Sequence, residues 1–276
     1  MNAMTEKERA ALVNLPVEKW EANQARLCED TIAEEMPVAL EYNGISHAVM
    51  MASPYDLEDF ALGFSLSEGI LAKASELYDC EVVQQCDGIQ VQLRIATERF
   101  VSLKEKRRNL TGRTGCGLCG TETLAQAIRR PEPVAGTASF TQAQVHAGMA
   151  AMKLQQRLQR YTGATHAAAW MNAQGGVELV REDVGRHNAL DKLIGAMARK
   201  GLDFSAGAVL ITSRASYEMV QKAATMGVGF VAAISAPTSL AVQLANDSNV
   251  TLVGFTRQNS HVVYAQGHRL LREISV

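Results

Sequence analysis

The first half of the chain alternates between β-prone runs and tight-turn signals. Two such runs, Val38 to Tyr42 and Ile45 to Met51, flank Asn43-Gly44, a dipeptide that favours a two-residue hairpin turn. A second hairpin is predicted over Glu81 to Ile95, with its turn at Asp87-Gly88. The folded part of the chain is therefore expected to begin with two hairpins.

One amphipathic helix is predicted between these hairpins. Its apolar positions recur at helical spacing and are Leu57, Phe60, Ala61 and Phe64. Ser53 is expected to cap the amino end of the helix, with Pro54 as its first residue, and Gly69 is expected to end it. The charged, non-periodic stretch from Lys104 to Arg113 is predicted to be an exposed loop.

The second half of the chain has a different pattern, which begins after Pro131, Pro133 and Gly136. The predicted elements are a helix from Thr141 to about Tyr161 that ends at Gly163, strands at 166–171 and 177–181, a helix from His187 to Lys200, strands at 208–212, 230–234 and 250–255, and helices at 216–226 and 238–245. Strands that alternate with helices indicate βαβ units on a largely parallel sheet, covered by helices.

These patterns predict an α/β protein with two domains. Residues 1–30 form an N-terminal extension, residues 31–135 a smaller α+β domain, and residues 136–276 an α/β domain. The boundary is placed at the proline and glycine cluster because such residues break regular structure.

The composition of the chain argues against several classes of partner. The net charge is −2 and only 5% of residues are aromatic, which argues against nucleic acid as a partner. The five cysteines are an odd number, and the amino terminus is polar and charged. We therefore expect a cytoplasmic protein with reduced thiols, without a disulfide framework and without a membrane partner.

The segment Thr111 to Gly120 has the composition of a reactive site. It holds Cys116 and Cys119 among four glycines, together with Arg113, and it follows the basic residues Lys104, Lys106, Arg107 and Arg108. Glycines leave the sulfurs accessible, and nearby cations favour the reactive thiolate. From the residues alone the pair is open to metal, redox or nucleophilic use.

Three loops are candidates for binding an anion. They follow predicted strands and cover residues 212–216, 235–238 and 255–260, with Ser213, Arg214 and Arg257 among their polar members. Ligands of α/β sheets sit beyond the carboxyl ends of the strands, where helix amino ends attract phosphates. The run from Arg181 to Lys192 is also unusually polar, and its cations Arg186 and His187 suggest a bound anion or a partner acid.

Zinc and thioredoxin chemistry fit the motifs less well. His166 lies in an apolar strand, where a lone histidine is usually a hydrogen-bonded core residue. A zinc deaminase needs His-x-Glu followed by Pro-Cys-x-x-Cys, but Ala168 occupies the Glu position and the cysteine pair comes before the histidine. A thioredoxin-like pair follows an early strand of a βαβ unit rather than a basic, glycine-rich loop. We expect no metal site.

Taken together, three segments resemble the FdhD family of formate dehydrogenase accessory sulfurtransferases. They are the Cys116-Gly117-Leu118-Cys119-Gly120 loop, the Arg181 to Lys192 run, and Glu41 to Gly44 with Ser53 to Gly69. The resemblance runs from about Pro37 to Tyr264. It implies a homodimer whose C-terminal half is a three-layer α/β/α domain like the cytidine deaminase fold, without the zinc site.

The resemblance also implies a function. The protein would take persulfide sulfur from a cysteine desulfurase and transfer it to the molybdenum bis(molybdopterin guanine dinucleotide) cofactor of formate dehydrogenase. Cys116 would carry the sulfur with Cys119 beside it. The cofactor would be bound by Phe255, Thr256, Arg257, Gln258, Asn259 and Ser260, assisted by Ser213 and Arg214, and GDP would mimic it. His187 is the first choice for proton transfer.

Two alternatives remain open from the sequence. The protein could be a non-catalytic chaperone that binds and delivers the molybdenum cofactor, its cysteines only gating the pocket. It could also be a thiol-disulfide oxidoreductase, which predicts a reversible disulfide between Cys116 and Cys119.

Overall fold

A computed structural model describes residues 4–110, 130–257 and 260–272, without the side chains of residues 7 and 106–110. The strands are β1 Leu12–Glu21, β2 Gln24–Ala33, β3 Met36–Tyr42, β4 Ile45–Ala52, β5 Leu77–Gln85, β6 Gly88–Ile95, β7 Phe140–Thr141, β8 His166–Asn172, β9 Val177–Asp183, β10 Gly207–Ile211, β11 Phe230–Ala233, β12 Thr251–Arg257, β13 Ser260–Ala265 and β14 Leu270–Leu271. The α-helices are α1 Glu6–Arg9, α2 Leu57–Ser67, α3 Thr97–Leu110, α4 Gln142–Gln155, α5 Arg157–Thr162, α6 Arg186–Arg199, α7 Tyr217–Thr225 and α8 Ser239–Asp247.

The two predicted hairpins form one four-stranded sheet in the order β4-β3-β6-β5. Strands β3 and β6 pair in parallel, which joins the hairpins edge to edge. The buried residues Val38, Leu40 and Tyr42 alternate along β3 and point at α2, whose Phe60 and Ala61 are buried against them. Both hairpin predictions are therefore confirmed.

The start of α2 and the segment after β6 differ from the predictions. Helix α2 begins at Leu57 with Asp56 before it in a left-handed conformation, because Ser53 is engaged elsewhere. The backbone N–H of Ser53 donates to the carboxylate of Asp183, and its Oγ accepts from the N–H of Val184. The segment from Lys104 to Leu110 was predicted to be a loop, but it forms the second half of helix α3.

The C-terminal sheet has six strands in the order β13-β12-β11-β10-β8-β9. Only β10, β11 and β12 are parallel, whereas β8, β9 and β13 pair antiparallel with their neighbours. The predicted strands and helices are present, but the largely parallel sheet is wrong. The sheet is mixed because β8 and β9 form a hairpin and β13 turns back directly from β12.

Helices cover both faces of this sheet. Along β10, Ala208 and Leu210 pack with Val145 and Met149 of α4, while Val209 and Ile211 belong to the core shared with α6, α7 and α8. Residues of a strand alternate between faces, so one strand serves both layers. The result is a helix, sheet, helix arrangement.

The predicted helix from Thr141 to Tyr161 is split in two. Thr141 caps α4 through a reciprocal bond with Gln144, as expected. Gln156 then adopts an extended conformation, and α5 begins at Arg157. The carboxylate of Glu182 accepts from the backbone N–H groups of Leu158 and Gln159, both at 2.9 Å, and so caps the second helix.

One hydrophobic core runs from the four-stranded sheet into the six-stranded one. Helices α2 and α6 cross so closely that a Cβ added at Gly63 would overlap the backbone carbonyl of Asp191. The same holds for Gly195 against the carbonyl of Asp59. The division at residue 135 stays a prediction, and the two sides of it share this core.

The N-terminal segment forms a long hairpin of β1 and β2, for which the sequence carried no prediction. Most of its side chains are exposed, including those of Trp20 and Leu27. Within the described ranges, no helix is long and apolar enough to cross a membrane.

Candidate functional site

The loops after β10, β11 and β12 meet at one edge of the C-terminal sheet. The N–H of Ala215 donates to the carbonyl of Ala236 at 3.2 Å, and the N–H of Phe255 donates to the carbonyl of Ser235 at 3.2 Å. The three loops predicted to bind an anion are therefore adjacent, at the carboxyl ends of the three parallel strands.

A groove of about 1390 Å³ crosses this edge on the side of α4. Its walls come from α4, α5, the segment before β8, and the ends of β10 to β12. The lining residues are His146, Met149, Ala150, Lys153, Leu154, Gln156, Gln159, Arg160, Gly163, Ala164, Thr165, His166, Thr212, Ile234, Thr256 and Arg257. The volume suits a nucleotide-sized ligand.

The groove is cationic. Lys153, Arg160 and Arg257 line it, and no Asp or Glu is among its lining residues in the described part of the chain. The pKa of His146 is lowered by burial and then by the neighbouring His261. The pKa of His166 is lowered by burial and then by the positive charge of Arg186. Both histidines are therefore mainly neutral at pH 7.

Two of the predicted cofactor residues lie in the groove. Thr256 is 1% exposed and its Oγ1 is buried, without a hydrogen-bond partner among the described residues. Arg257 is exposed, and its Cζ lies 5.7 Å from the ring centroid of Phe255. Ser260 donates its hydroxyl to the carbonyl of Arg257 at 3.1 Å. Gln258, Asn259, Cys116 and Cys119 lie outside the described residues.

The other predicted residues lie on the α6 and α7 side of the same edge. Ser213 is buried and donates to the carbonyl of Arg214, whose side chain is exposed. His187, in the first turn of α6, has its Nε2 2.6 Å from the carboxylate of Glu218 in α7. The hydrogen bond from His187 lowers the pKa of Glu218. Arg186 beside it has a buried Nε with no partner among described residues.

Most of the polar run from Arg181 to Lys192 joins the two halves instead of binding a ligand. The Nζ of Lys192 lies 2.6 Å from the carboxylate of Asp183, and both side chains are fully buried. Lys192 also donates to the carbonyl of Ser53 at 3.1 Å. Asp191, the neighbour of Lys192 in α6, has its carboxylate 3.0 Å from the Nζ of Lys222 in α7. The anion-binding interpretation is therefore confined to Arg186 and His187.

Sequence reasoning missed the α4 wall of the groove and misjudged His166. His166 was expected to be a hydrogen-bonded core residue, yet it lines the groove and is only half-buried. Because β8 runs antiparallel to β10, its first residue lies at the same edge as the carboxyl ends of β10 to β12. The sequence signal for this position was Gly163, which ends the preceding helix three residues before His166 and so places His166 at the start of β8. Among the described residues, no group of three or more His, Cys, Asp or Glu could hold a metal.

Comparisons with known proteins agree on a family. The model of the FdhD/NarQ family matches residues 33–271. The sulfur carrier protein FdhD of Cupriavidus necator is 60% identical over 260 residues, which cover 94% of this chain and 90% of that protein. The protein of the same name from Bordetella petrii is 55% identical over 241 residues, with 87% of each chain covered. That of Xanthomonas oryzae pv. oryzae is 46% identical over 275 residues, covering 100% of this chain and 98% of the other.

A solved structure has the same fold. It is a crystal structure of a candidate formate dehydrogenase accessory protein from Desulfotalea psychrophila, with a TM-score of 0.74 and 23% identity. The match covers 95% of this chain and 100% of that one. At this identity the similarity shows the fold alone.

Proposed function

The chain belongs to the FdhD/NarQ family, and we propose that it is a sulfur carrier that serves formate dehydrogenase. It takes persulfide sulfur from a cysteine desulfurase and passes it to the molybdenum bis(molybdopterin guanine dinucleotide) cofactor. The cofactor is the substrate of this transfer.

The cationic groove is the observation that best supports a nucleotide-tailed substrate. Phosphate groups are bound by cations, hydroxyls and helix amino ends, and repelled by carboxylates. Arg257, Lys153 and Arg160 provide the cations, and Thr256 provides a hydroxyl that has no other partner among the described residues. Ser213, Arg214 and His187 approach the same strand ends from the opposite face and complete the proposed contacts.

Cys80 is a poor candidate for the sulfur carrier. Burial raises the pKa of the Cys80 thiol to about 11, so Cys80 holds almost no thiolate at neutral pH. In the proposed step the Cys116 thiolate attacks the outer sulfur of the desulfurase persulfide. The sulfur–sulfur bond of the desulfurase breaks, its cysteine leaves as a thiolate, and Cys116 becomes the persulfide without net oxidation.

Mass spectrometry tests this step. We expect that incubation with a cysteine desulfurase and cysteine adds one sulfur to the protein, and that Cys116→Ala abolishes the addition. Cys86→Ala is the matched control, because Cys86 is an exposed free cysteine in the β5–β6 turn, and it should retain the sulfur. Sulfur found on Cys86 or Cys28 instead would contradict the assignment.

The same variants separate the alternatives. A chaperone that only delivers the cofactor restores formate dehydrogenase activity with both Cys116 and Cys119 changed to alanine, whereas a sulfur carrier does not. A thiol-disulfide oxidoreductase shows turnover against dithiols and a reversible disulfide between the two cysteines.

Binding of GDP tests the groove. Arg257→Ala should weaken GDP binding about tenfold to 150-fold, because a charge-assisted contact to phosphate is worth roughly 1.5–3 kcal/mol. Arg94→Ala is the control, since Arg94 is an exposed arginine of the four-stranded sheet, remote from the groove. Equal affinities for the two variants in calorimetry would remove Arg257 from the site.

The remaining proposals concern the assembly and its setting. We propose a cytoplasmic homodimer whose C-terminal half shares the cytidine deaminase fold. The helix, sheet, helix arrangement of β8 to β13 is compatible with that fold. Light scattering of the purified protein measures the oligomeric state, and a monomeric mass would contradict the homodimer.

A further inference from the structure

A β-bulge forms one wall of the groove. Gly254 pairs with Val262 and Arg257 pairs with Ser260, so Phe255 and Thr256 lie together opposite the single residue His261. Phe255 has a φ of +50°, which is a strained conformation for an aromatic residue. Strain of this kind persists where the surroundings enforce it, and it is frequent at functional sites.

The strand is closely packed immediately before the bulge. A Cβ added at Gly254 would lie 2.9 Å from the ring of Tyr264 on β13 and 3.1 Å from the carbonyl of Ser235 in the loop after β11. In the bulge itself the Oγ1 of Thr256 is buried and has no partner within the described ranges.

The bulge also faces a pair of histidines. The Nε2 of His146 in α4 lies 3.1 Å from the Nδ1 of His261, and the ring centroids are 5.2 Å apart. A hydrogen bond between two imidazoles requires one nitrogen to donate and the other to accept. His146 lines the groove together with Thr256 and Arg257, and His261, which lies opposite Thr256 in the bulge, contacts His146.

The titratable side chains that line the groove in the described part of the chain are all basic. They are Lys153 on α4, Arg160 on α5, His166 on β8 and Arg257 on β12, with His261 on β13 in contact with His146. No carboxylate is among the groups that shift the pKa of His146. The charge of this cluster therefore favours an anionic ligand.

We propose that Thr256, Arg257 and the His146–His261 pair form a phosphate subsite whose occupation is coupled to the protonation of His146. The ligand class is a phosphate or diphosphate ester, such as the nucleotide tail of the groove ligand. The inference rests on the proposed function for the identity of that ligand. It adds His146 as a binding residue, with His261 as its positioning partner, and makes binding depend on pH.

The coupling follows from the charges. Burial and the neighbouring imidazole keep His146 mainly neutral in the free protein at pH 7.5. A bound phosphate stabilises the imidazolium and raises the pKa of His146, so binding takes up a proton. Protonated His146 has two N–H donors, one for His261 and one for the anion. Affinity consequently rises as the pH falls from 8 toward 6.

Calorimetry in two buffers of different ionisation enthalpy measures the proton uptake directly. The probes are inorganic pyrophosphate and GDP, and we expect the wild-type protein to take up a fraction of a proton, about one at most, per ligand bound at pH 7.5. His146→Gln keeps a hydrogen-bonding side chain, and it should lose most of this uptake and bind roughly threefold or more weakly at pH 6. His268→Gln changes an exposed histidine that does not line the groove, and it should behave as wild type.

Histidine NMR provides a second measurement. The chain has six histidines, so single substitutions assign each ring signal. Pyrophosphate should shift the His146 and His261 signals and raise the midpoint of the His146 titration, while His268 stays unchanged. The ratio of wild-type to His146→Gln affinity across pH cancels the ionisation of the ligand itself.

Different outcomes overturn the two claims separately. Binding with equal proton uptake in wild type and His146→Gln, or unshifted His146 and His261 signals at saturation, overturns the subsite and leaves sulfur carriage intact. Absence of any pyrophosphate or GDP binding also overturns the subsite. The mass spectrometry experiment on Cys116 tests sulfur carriage separately. A failure to find the persulfide there would overturn the proposed function and would not affect the subsite.

Discussion

Two regions of the molecule are rich in polar side chains, and they differ in whether those side chains have partners. Where α2 meets α6, Asp183 and Lys192 are fully buried and bind each other, and Asp191 and Lys222 do the same. At the sheet edge, Thr256 and Arg186 carry buried polar atoms without partners among the described residues. The first region joins the two halves, and the second is the one where we propose that a ligand binds.

The comparison teaches that polar density in a sequence does not identify a site. A buried charge is costly unless it is paired, so a fold that buries charges must satisfy them internally. A binding site leaves donors unsatisfied because the ligand supplies the acceptors. The sequence offers both the Arg181 to Lys192 run and residues 255–260 as candidates for binding an anion, and the partners of their side chains in the described ranges distinguish the two.

Breaking a buried pair at the interface should have the largest effect. Lys192→Met leaves the Asp183 carboxylate buried without its cation, and the free energy of unfolding should fall by about 3–5 kcal/mol in urea titrations. Lys200→Met is the control, because Lys200 is exposed at the end of the same helix, and it should change stability little. A loss below about 1 kcal/mol for Lys192→Met would show that this pair is not what stabilises the interface.

Removing the hydroxyl of Thr256 should not lower the free energy of unfolding. Thr256→Val deletes a buried Oγ1 that has no partner among the described residues, so stability should be unchanged or rise by about 1 kcal/mol, while GDP binding weakens. Thr251→Val on the same strand deletes a hydroxyl that donates to the carbonyl of Gln266, and it should lose about 1 kcal/mol. If both variants lose stability equally, the hydroxyl of Thr256 is satisfied within the protein.

The pair of Arg99 and Glu76 lies near the surface, and breaking it should have the smallest effect on the free energy of unfolding. Arg99 binds Glu76 through two hydrogen bonds of 2.9 and 3.0 Å, and these lower the pKa of Glu76. Arg99→Met should lower the free energy of unfolding only slightly at pH 7, because the pair lies near the surface and water screens it.

The pH dependence of this pair has a defined sign. A lowered carboxyl pKa contributes stability above the ordinary Glu value of about 4.3, and the contribution disappears as pH falls through the lowered pKa. The difference between wild type and Arg99→Met should therefore vanish in acid. Arg94→Met is the control, since Arg94 and Asp79 are 3.9 Å apart and mostly exposed, and its effect should be near zero at any pH.

Most of the elements could be predicted from the sequence because their signals are local. The Asn43-Gly44 turn, the Thr141 cap and the alternation from residue 166 to residue 255 depend on neighbouring residues only. The start of α2 could not be predicted in this way. Ser53 is a good capping residue by itself, but Asp183, 130 residues away in the chain, binds its N–H and withdraws it from the helix.

The sequence by itself determined the family and most of the strands and helices, and it named candidate residues for binding phosphate and carrying sulfur. Only the tertiary structure decided which polar residues have partners within the described ranges. It placed His146 and His166 in one groove with Thr256, and His261 opposite Thr256 in a bulge, and neither the antiparallel strand β8 nor the bulge has a local signature in this chain. Strand direction and register are set by packing between distant segments, so the groove is a property of the fold and not of any one motif.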